Sequence, residues 1–98
     1  MSAYILHITY TVKEGKRESF LSLARELKQH FAGEMGKAYS IYEVKGKANT
    51  FVEQFSCPTK EEFDALEDDL TEKGEGLINR LTDLIEEGAA KYSTLVEI

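Results

Sequence analysis

Hydrophobic residues along this chain change period in a fixed order, and that order limits the folds open to it. From Tyr4 to Val12 apolar and polar residues alternate with period two, in a stretch rich in Ile, Thr, Tyr and Val that predicts a β-strand. Glu14-Gly15-Lys16 breaks the alternation, and Phe20, Leu23, Ala24, Leu27 and Phe31 then recur at helical spacing, ending near Gly33 and Gly36. Two short strands are predicted over 38–44 and 50–56, joined by KGKAN, whose glycine and asparagine suit a hairpin turn. Thr59 and Glu62 have the spacing of a capping box, with Pro58 and Phe63 as its staple, and Phe63, Leu66 and Leu70 give the helix that follows its apolar face. TEKGEG, with two glycines, is expected to be a hinge or loop. Leu77, Ile78, Leu81, Leu84 and Ile85 then mark a third helix, and 92–98 reads as a closing strand.

The order is therefore β-α-β-β-α-(α)-β, with neither repeats nor low-complexity segments, and residues 1–98 form one domain. With a right-handed crossover this is an α+β, ferredoxin-like antiparallel sheet carrying its helices on one face. On the first strand Leu6, Ile8, Tyr10 and Val12 share one face and Ile5, His7, Thr9 and Thr11 the other. The more apolar set should meet the helices. The second face is mixed rather than fully polar, and three helices cannot cover all the aromatic residues of such a sheet. A second copy of the chain is the simplest cover, giving a homodimer with two sheets face to face and a semi-polar space between them.

Composition narrows the function classes. Twelve basic residues against 18 acidic ones give a net charge of −6, which argues against nucleic acid or an anionic membrane as the main partner. Lys13-Lys16-Arg17 and Lys45-Lys47 are too few to reverse that. The single cysteine, Cys57, excludes an internal disulfide and a cysteine zinc cluster, and fits a reducing cytoplasm. No apolar run approaches the roughly 18 residues of a membrane span, nor does a basic-then-apolar leader open the chain.

ILHITYTVKEGKRESFLSLARELK, YSIYEVKGKANTFVEQFSCPTKEEFDALE and TLVEI together resemble the dimeric α/β-barrel proteins typified by antibiotic biosynthesis monooxygenases. Glu53 and Phe55 fall where that family often has a glutamate followed, two residues on, by an aromatic. The resemblance implies a homodimeric barrel with a ligand cavity in each subunit. It also implies oxygenation of phenols, quinols or anthrones without metal or flavin, the deprotonated substrate itself passing an electron to oxygen. Heme degradation is disfavoured, because the chain has no Trp and its asparagines, Asn49 and Asn79, fall in a turn and a helix. HITYTVKEG also resembles the first strand of stress-responsive α/β-barrel proteins, which implies a cyclase-type acid/base enzyme as one alternative. A non-catalytic binding or interaction dimer is another.

Candidate residues follow. His7 is the candidate proton acceptor, against a half-buried histidine that only holds the sheet. Glu53 is a second candidate, as a base or as a partner that orients His7 from the adjacent strand, against a solvated or hairpin-paired glutamate. Ile5, Thr9, Tyr39, Phe51 and Phe55 are candidates to line the cavity, with most tyrosines read as cross-strand packing. Cys57 reads as a buried structural thiol, His30 as an exposed residue at a helix C-terminus, and Glu67-Asp68-Asp69 as a solvated acidic face. Neither a metal nor a cofactor is expected.

Overall fold

A computed structural model describes residues 3–66, 68–87 and 90–98. Strand β1 (Tyr4–Thr11) leads into helix α1 (Arg17–Lys28), which passes directly into a π-helical turn, Gln29–Glu34. Strands β2 (Ala38–Glu43) and β3 (Thr50–Cys57) form a hairpin, followed by the short helix α2 (Lys60–Asp64), helix α3 (Glu72–Leu84) and strand β4 (Lys91–Val96). The sheet runs β2-β3-β1-β4 with every neighbour antiparallel. This is the α+β, ferredoxin-like arrangement that the order of periods predicts.

The core lies between the sheet and helices α1 and α3. Phe20, Leu23 and Leu27 from α1 are essentially inaccessible, and they meet Tyr10 and Val12 of β1 and Phe51 of β3. The Phe20 ring packs 4.2 Å from Phe51 and edge-on, 5.8 Å, to Tyr10. Leu6, Ile8, Tyr10 and Val12 thus take the helix side because they are the residues whose burial repays the most apolar area. An Arg17–Glu43 pair, 2.6 Å, with Arg17 also donating to Asn49, ties the start of α1 to the hairpin.

Four local expectations need correction. Helix α2 ends at Asp64, so Leu66 and Leu70 lie beyond the helix whose apolar face they were expected to supply. TEKGEG is not a hinge: Thr71 caps α3 by accepting the Gly74 N–H at 3.0 Å, and the helix runs through both glycines. At Gly74 a Cβ would come 3.0 Å from Leu70 Cδ1 and 3.2 Å from His30 Nε2, so a larger residue fits only if those side chains shift. Gly76, by contrast, has nothing within 4 Å of its would-be Cβ. Gly76→Ala should therefore stabilise the protein by about 0.5–1 kcal/mol through helix propensity. Gly74→Ala should gain nothing or lose stability, and urea unfolding of the two variants side by side checks the contrast.

The capping box at α2 is half formed: Thr59 Oγ1 accepts the Glu62 N–H at 3.2 Å, but no return bond from the Glu62 carboxylate exists among the described residues. Phe63 packs against Tyr4, 5.9 Å between rings. His30, expected in solvent, is only 4 % exposed. The π-helical turn widens the end of α1 and swings the ring inward, where Nδ1 meets Glu34 Oε1 at 2.8 Å and Nε2 meets Thr71 Oγ1 at 3.1 Å. Because the Glu34 carboxylate can only accept, Nδ1 carries a proton and donates to it.

Candidate functional site

Between the sheet and the segment from α2 through β4 lies a cavity of about 260 Å³. Its walls are apolar: Leu6 and Ile8 from β1, Phe55 from β3, Phe31 from the π-helical turn, and Leu70, Leu81 and Ile85 around α3. A volume just under the roughly 300–1,000 Å³ of common ligand pockets suits a molecule of one or two rings. Phe31, Tyr39 and Phe55 form one aromatic cluster at this wall, with ring separations of 4.7–5.3 Å. At the rim, Lys37 and Asp69 pair at 2.8 Å, where the cavity adjoins a more polar groove running beneath α2.

Into this apolar space the sheet directs one carboxyl group. Period two places Phe51, Glu53 and Phe55 on the same side of β3, and burial of the phenylalanines takes Glu53 with them. Glu53 is 4 % exposed and accepts a 2.5 Å hydrogen bond from the Tyr39 hydroxyl on Oε1. Burial pushes its pKa above the usual carboxylate range, and the Tyr39 hydrogen bond and the nearby Tyr10 hydroxyl oppose the rise only in part. Burial, and after it the Glu53 charge, drives the hydroxyls of Tyr10 and Tyr39 upward, so both stay protonated and act as donors. The reading of Glu53 as a solvated or hairpin-paired residue is therefore corrected.

The Tyr10 hydroxyl is the odd member of the group. It lies near enough to Glu53 to feel its charge, yet it is fully buried with no partner of good hydrogen-bond geometry among the described residues. Such an unmet donor costs about 1–3 kcal/mol. Sequence alone assigns Tyr10 to packing on the helix face. Only the register, which sets it one inward-facing position beyond Ile8 and Ile8 opposite Glu53, brings its hydroxyl to the carboxyl.

The other candidates divide between the two faces of the sheet. His7 pairs with Gln54, not with Glu53, so the expected contact between His7 and Glu53 is excluded by a one-residue register offset that sends them to opposite faces. His7 stands in a polar row with Ser93, Gln54 and Ser40 on the face away from the helices. Ile5 and Thr9 share that open face, beside Leu95 and Val52. Phe55 lines the cavity, Tyr39 reaches it through Glu53, and Phe51 is core packed on Phe20. Cys57 is buried, and burial pushes its thiol pKa up, away from a reactive thiolate. Of the acidic run, Glu67 lies outside the described residues, Asp68 is exposed and Asp69 is paired with Lys37. Among the described residues, neither a cluster able to hold a metal ion nor a helix long and apolar enough to cross a membrane is present.

Comparison with known proteins agrees on architecture. A Bacillus subtilis protein, YcnE, named as a candidate monooxygenase, is 47% identical over 49 residues, which span 49% of this chain and 52% of that protein. The chain thus matches about half the length of this curated relative. An antibiotic biosynthesis monooxygenase candidate from Nitrosomonas europaea superposes with a TM-score of 0.78 at 19% identity, covering 95% of this chain and 88% of that one. SnoaB of Streptomyces nogalater, a cofactor-independent oxygenase, gives a TM-score of 0.72 at 15% identity, covering 95% and 90%. A Bacteroides thetaiotaomicron protein of unknown function gives a TM-score of 0.76 at 22% identity, covering 97% of each chain. No protein-family model matches the chain. The chain has the ferredoxin-like fold of the antibiotic biosynthesis monooxygenase-like proteins; at these structural identities the likeness speaks for fold and not for chemistry.

Proposed function

We propose that this chain, folded as the antibiotic biosynthesis monooxygenase-like proteins are, binds one small aromatic or quinone-like molecule in its helix-side cavity and oxygenates it without a cofactor. The observation that carries this reading is Glu53, a buried carboxyl with a raised pKa in a largely apolar cavity of one- or two-ring size. A raised pKa brings the carboxyl nearer to that of a phenolic hydroxyl, so the proton can pass to Glu53. The ligand anion then gives an electron to dioxygen in a largely apolar space. SnoaB, of the same fold, is an oxygenase of this cofactor-independent kind.

We assign the proton acceptor to Glu53 rather than to His7, a reading supported by the cavity lining, which includes Glu53 and not His7. Oxygen uptake measured with a panel of phenols, quinols and anthrones tests the assignment. Glu53→Gln should abolish ligand-dependent uptake, whereas His7→Ala should leave it largely intact; the reverse pattern would return the role to His7. The position of His7 outside the cavity also favours a second reading, a non-catalytic binder, in which the ligand is recovered unchanged whether or not oxygen is present. Turnover without oxygen would instead mark an acid/base enzyme of the cyclase type.

The same reading includes a homodimer. The open face presents Ile5, Val52 and Leu95 with His7, Thr9 and Gln54 among them, a mixed surface that none of the described elements covers. Sheet-to-sheet pairing of two copies would cover it, and sedimentation velocity should find a dimer at micromolar concentration. A strict monomer would remove the barrel from the account. The single buried thiol suits a cytoplasmic setting.

A further inference from the structure

The Tyr10 hydroxyl is a donor looking for an acceptor. The residue is 1 % exposed, its hydroxyl lies close to Glu53 but makes no hydrogen bond of good geometry among the described residues, and its ring is already held by Phe20. A phenylalanine would make the same ring contacts without burying an unmet polar group. Tyr39, on the outer strand of the hairpin, differs in that its hydroxyl is committed to Glu53 Oε1 at 2.5 Å. Tyr10 and Glu53 both line the cavity, on the adjacent strands β1 and β3, and each is close enough to perturb the other. A ligand oxygen entering between them would meet one free donor and one free carboxyl oxygen.

We propose that Tyr10 and Glu53 together hold a single ionisable oxygen of a planar phenol- or enol-type ligand, Glu53 taking its proton and Tyr10 donating a hydrogen bond to the anion that remains. Tyr39 is the positioning residue that fixes the carboxyl. This assignment rests on the cavity being the ligand site proposed above and adds the group that makes ionisation there favourable. The step moves one proton: ligand O–H and Glu53 carboxylate become ligand O⁻ and Glu53 carboxylic acid, with no change in electron count. The new acid proton and the Tyr10 O–H then point at the same oxygen, a two-donor arrangement among buried side chains where each donor acts more strongly than in water.

The test uses 4-nitrophenol and its ring-substituted relatives, whose phenolate absorbs at longer wavelength than the phenol. At a pH where the free dye is mostly neutral, dye bound to the wild-type protein should show the phenolate band. Tyr10→Phe should still bind, with the ratio of ionised to neutral bound dye lowered about tenfold or more, and Glu53→Gln should bind the dye in neutral form. Thermal unfolding of Tyr10→Phe should lie near or above the wild-type temperature, because no hydrogen bond of good geometry within the chain is lost. Bound dye that stays neutral in the wild type, or an unchanged ionised fraction in Tyr10→Phe, overturns this role while leaving the cavity as a ligand site. Failure of every phenol to bind overturns both readings.

Discussion

Phe20→Ala is expected to lower the stability of the protein by about 3–5 kcal/mol, the largest effect of any single truncation in the core. The Phe20 side chain is fully buried and is the contact through which α1 grips both central strands, with Phe51 at 4.2 Å and Tyr10 at 5.8 Å. Removing it opens a cavity that the two strand aromatics cannot collapse into, because each is fixed by its place in the ladder. Against a total stability of roughly 5–15 kcal/mol for a domain of this kind, the variant should be marginal. Ile78→Ala is the control: that side chain is 38 % exposed, and its loss should cost about 1 kcal/mol or less. Urea unfolding of both variants at one fixed protein concentration, since dimerisation would make stability depend on concentration, measures the difference. Equal losses would mean that α1 is not anchored through Phe20.

Glu53 should leave its mark on the dependence of stability on pH. Its folded-state pKa is raised above the unfolded value near 4.5, so the folded protein holds this proton more tightly than the unfolded chain does. Stability from Glu53 is therefore fully present below about pH 4.5 and is lost as pH rises through the folded pKa. Glu26, Glu34 and Glu43 behave oppositely. Hydrogen bonds from Arg80, from Lys73 and then His30, and from Arg17 respectively hold their pKa values down, so their contributions are present above the unfolded value and fade on acidification. Those three are common to the wild type and Glu53→Gln, and cancel in the difference between them. From about pH 4.5 upward the wild type should lose stability relative to Glu53→Gln, with a slope of at most about 1.4 kcal/mol per pH unit. Parallel curves would show that Glu53 ionises in the folded protein as it does in the unfolded chain.

Much of the fold was legible because it rests on periodicity. The change from period two to 3.6 and back locates every strand to within one or two residues and places the first helix between β1 and β2, and the apolar face of β1 was correctly directed to the helices. What periodicity cannot give is register. His7 and Glu53 sit on adjacent strands as expected, but the pairing of Ile8 with Glu53 sends the histidine to the other face. That single offset separates the two candidate catalytic residues and splits Ile5 and Thr9 from Phe55. Local signals misled where tertiary contacts override them. The glycines of TEKGEG look like breakers, yet α3 runs through both, and His30 and Leu70 crowd Gly74. His30 looks like a solvent-facing helix end, yet a π-helical turn and Thr71 bury it. Glu53 was visible as a candidate, since a carboxylate between two phenylalanines is a conflict in the pattern. Its tyrosine partners were not, because tyrosines at strand spacing read as packing until the hydroxyls are placed.

The central claim is that a ligand enters on the helix side and meets Glu53, not on the open face beside His7. NMR titration of the protein with a panel of phenols and quinols, following side-chain signals of Glu53, Tyr39, Phe55 and His7 together, tests it most directly. The account predicts that the first three shift on binding and that Glu53 titrates well above an ordinary carboxylate, while His7 is little affected. Shifts centred on His7, Ile5 and Thr9 with Glu53 unmoved would contradict it and place the ligand on the other side of the sheet.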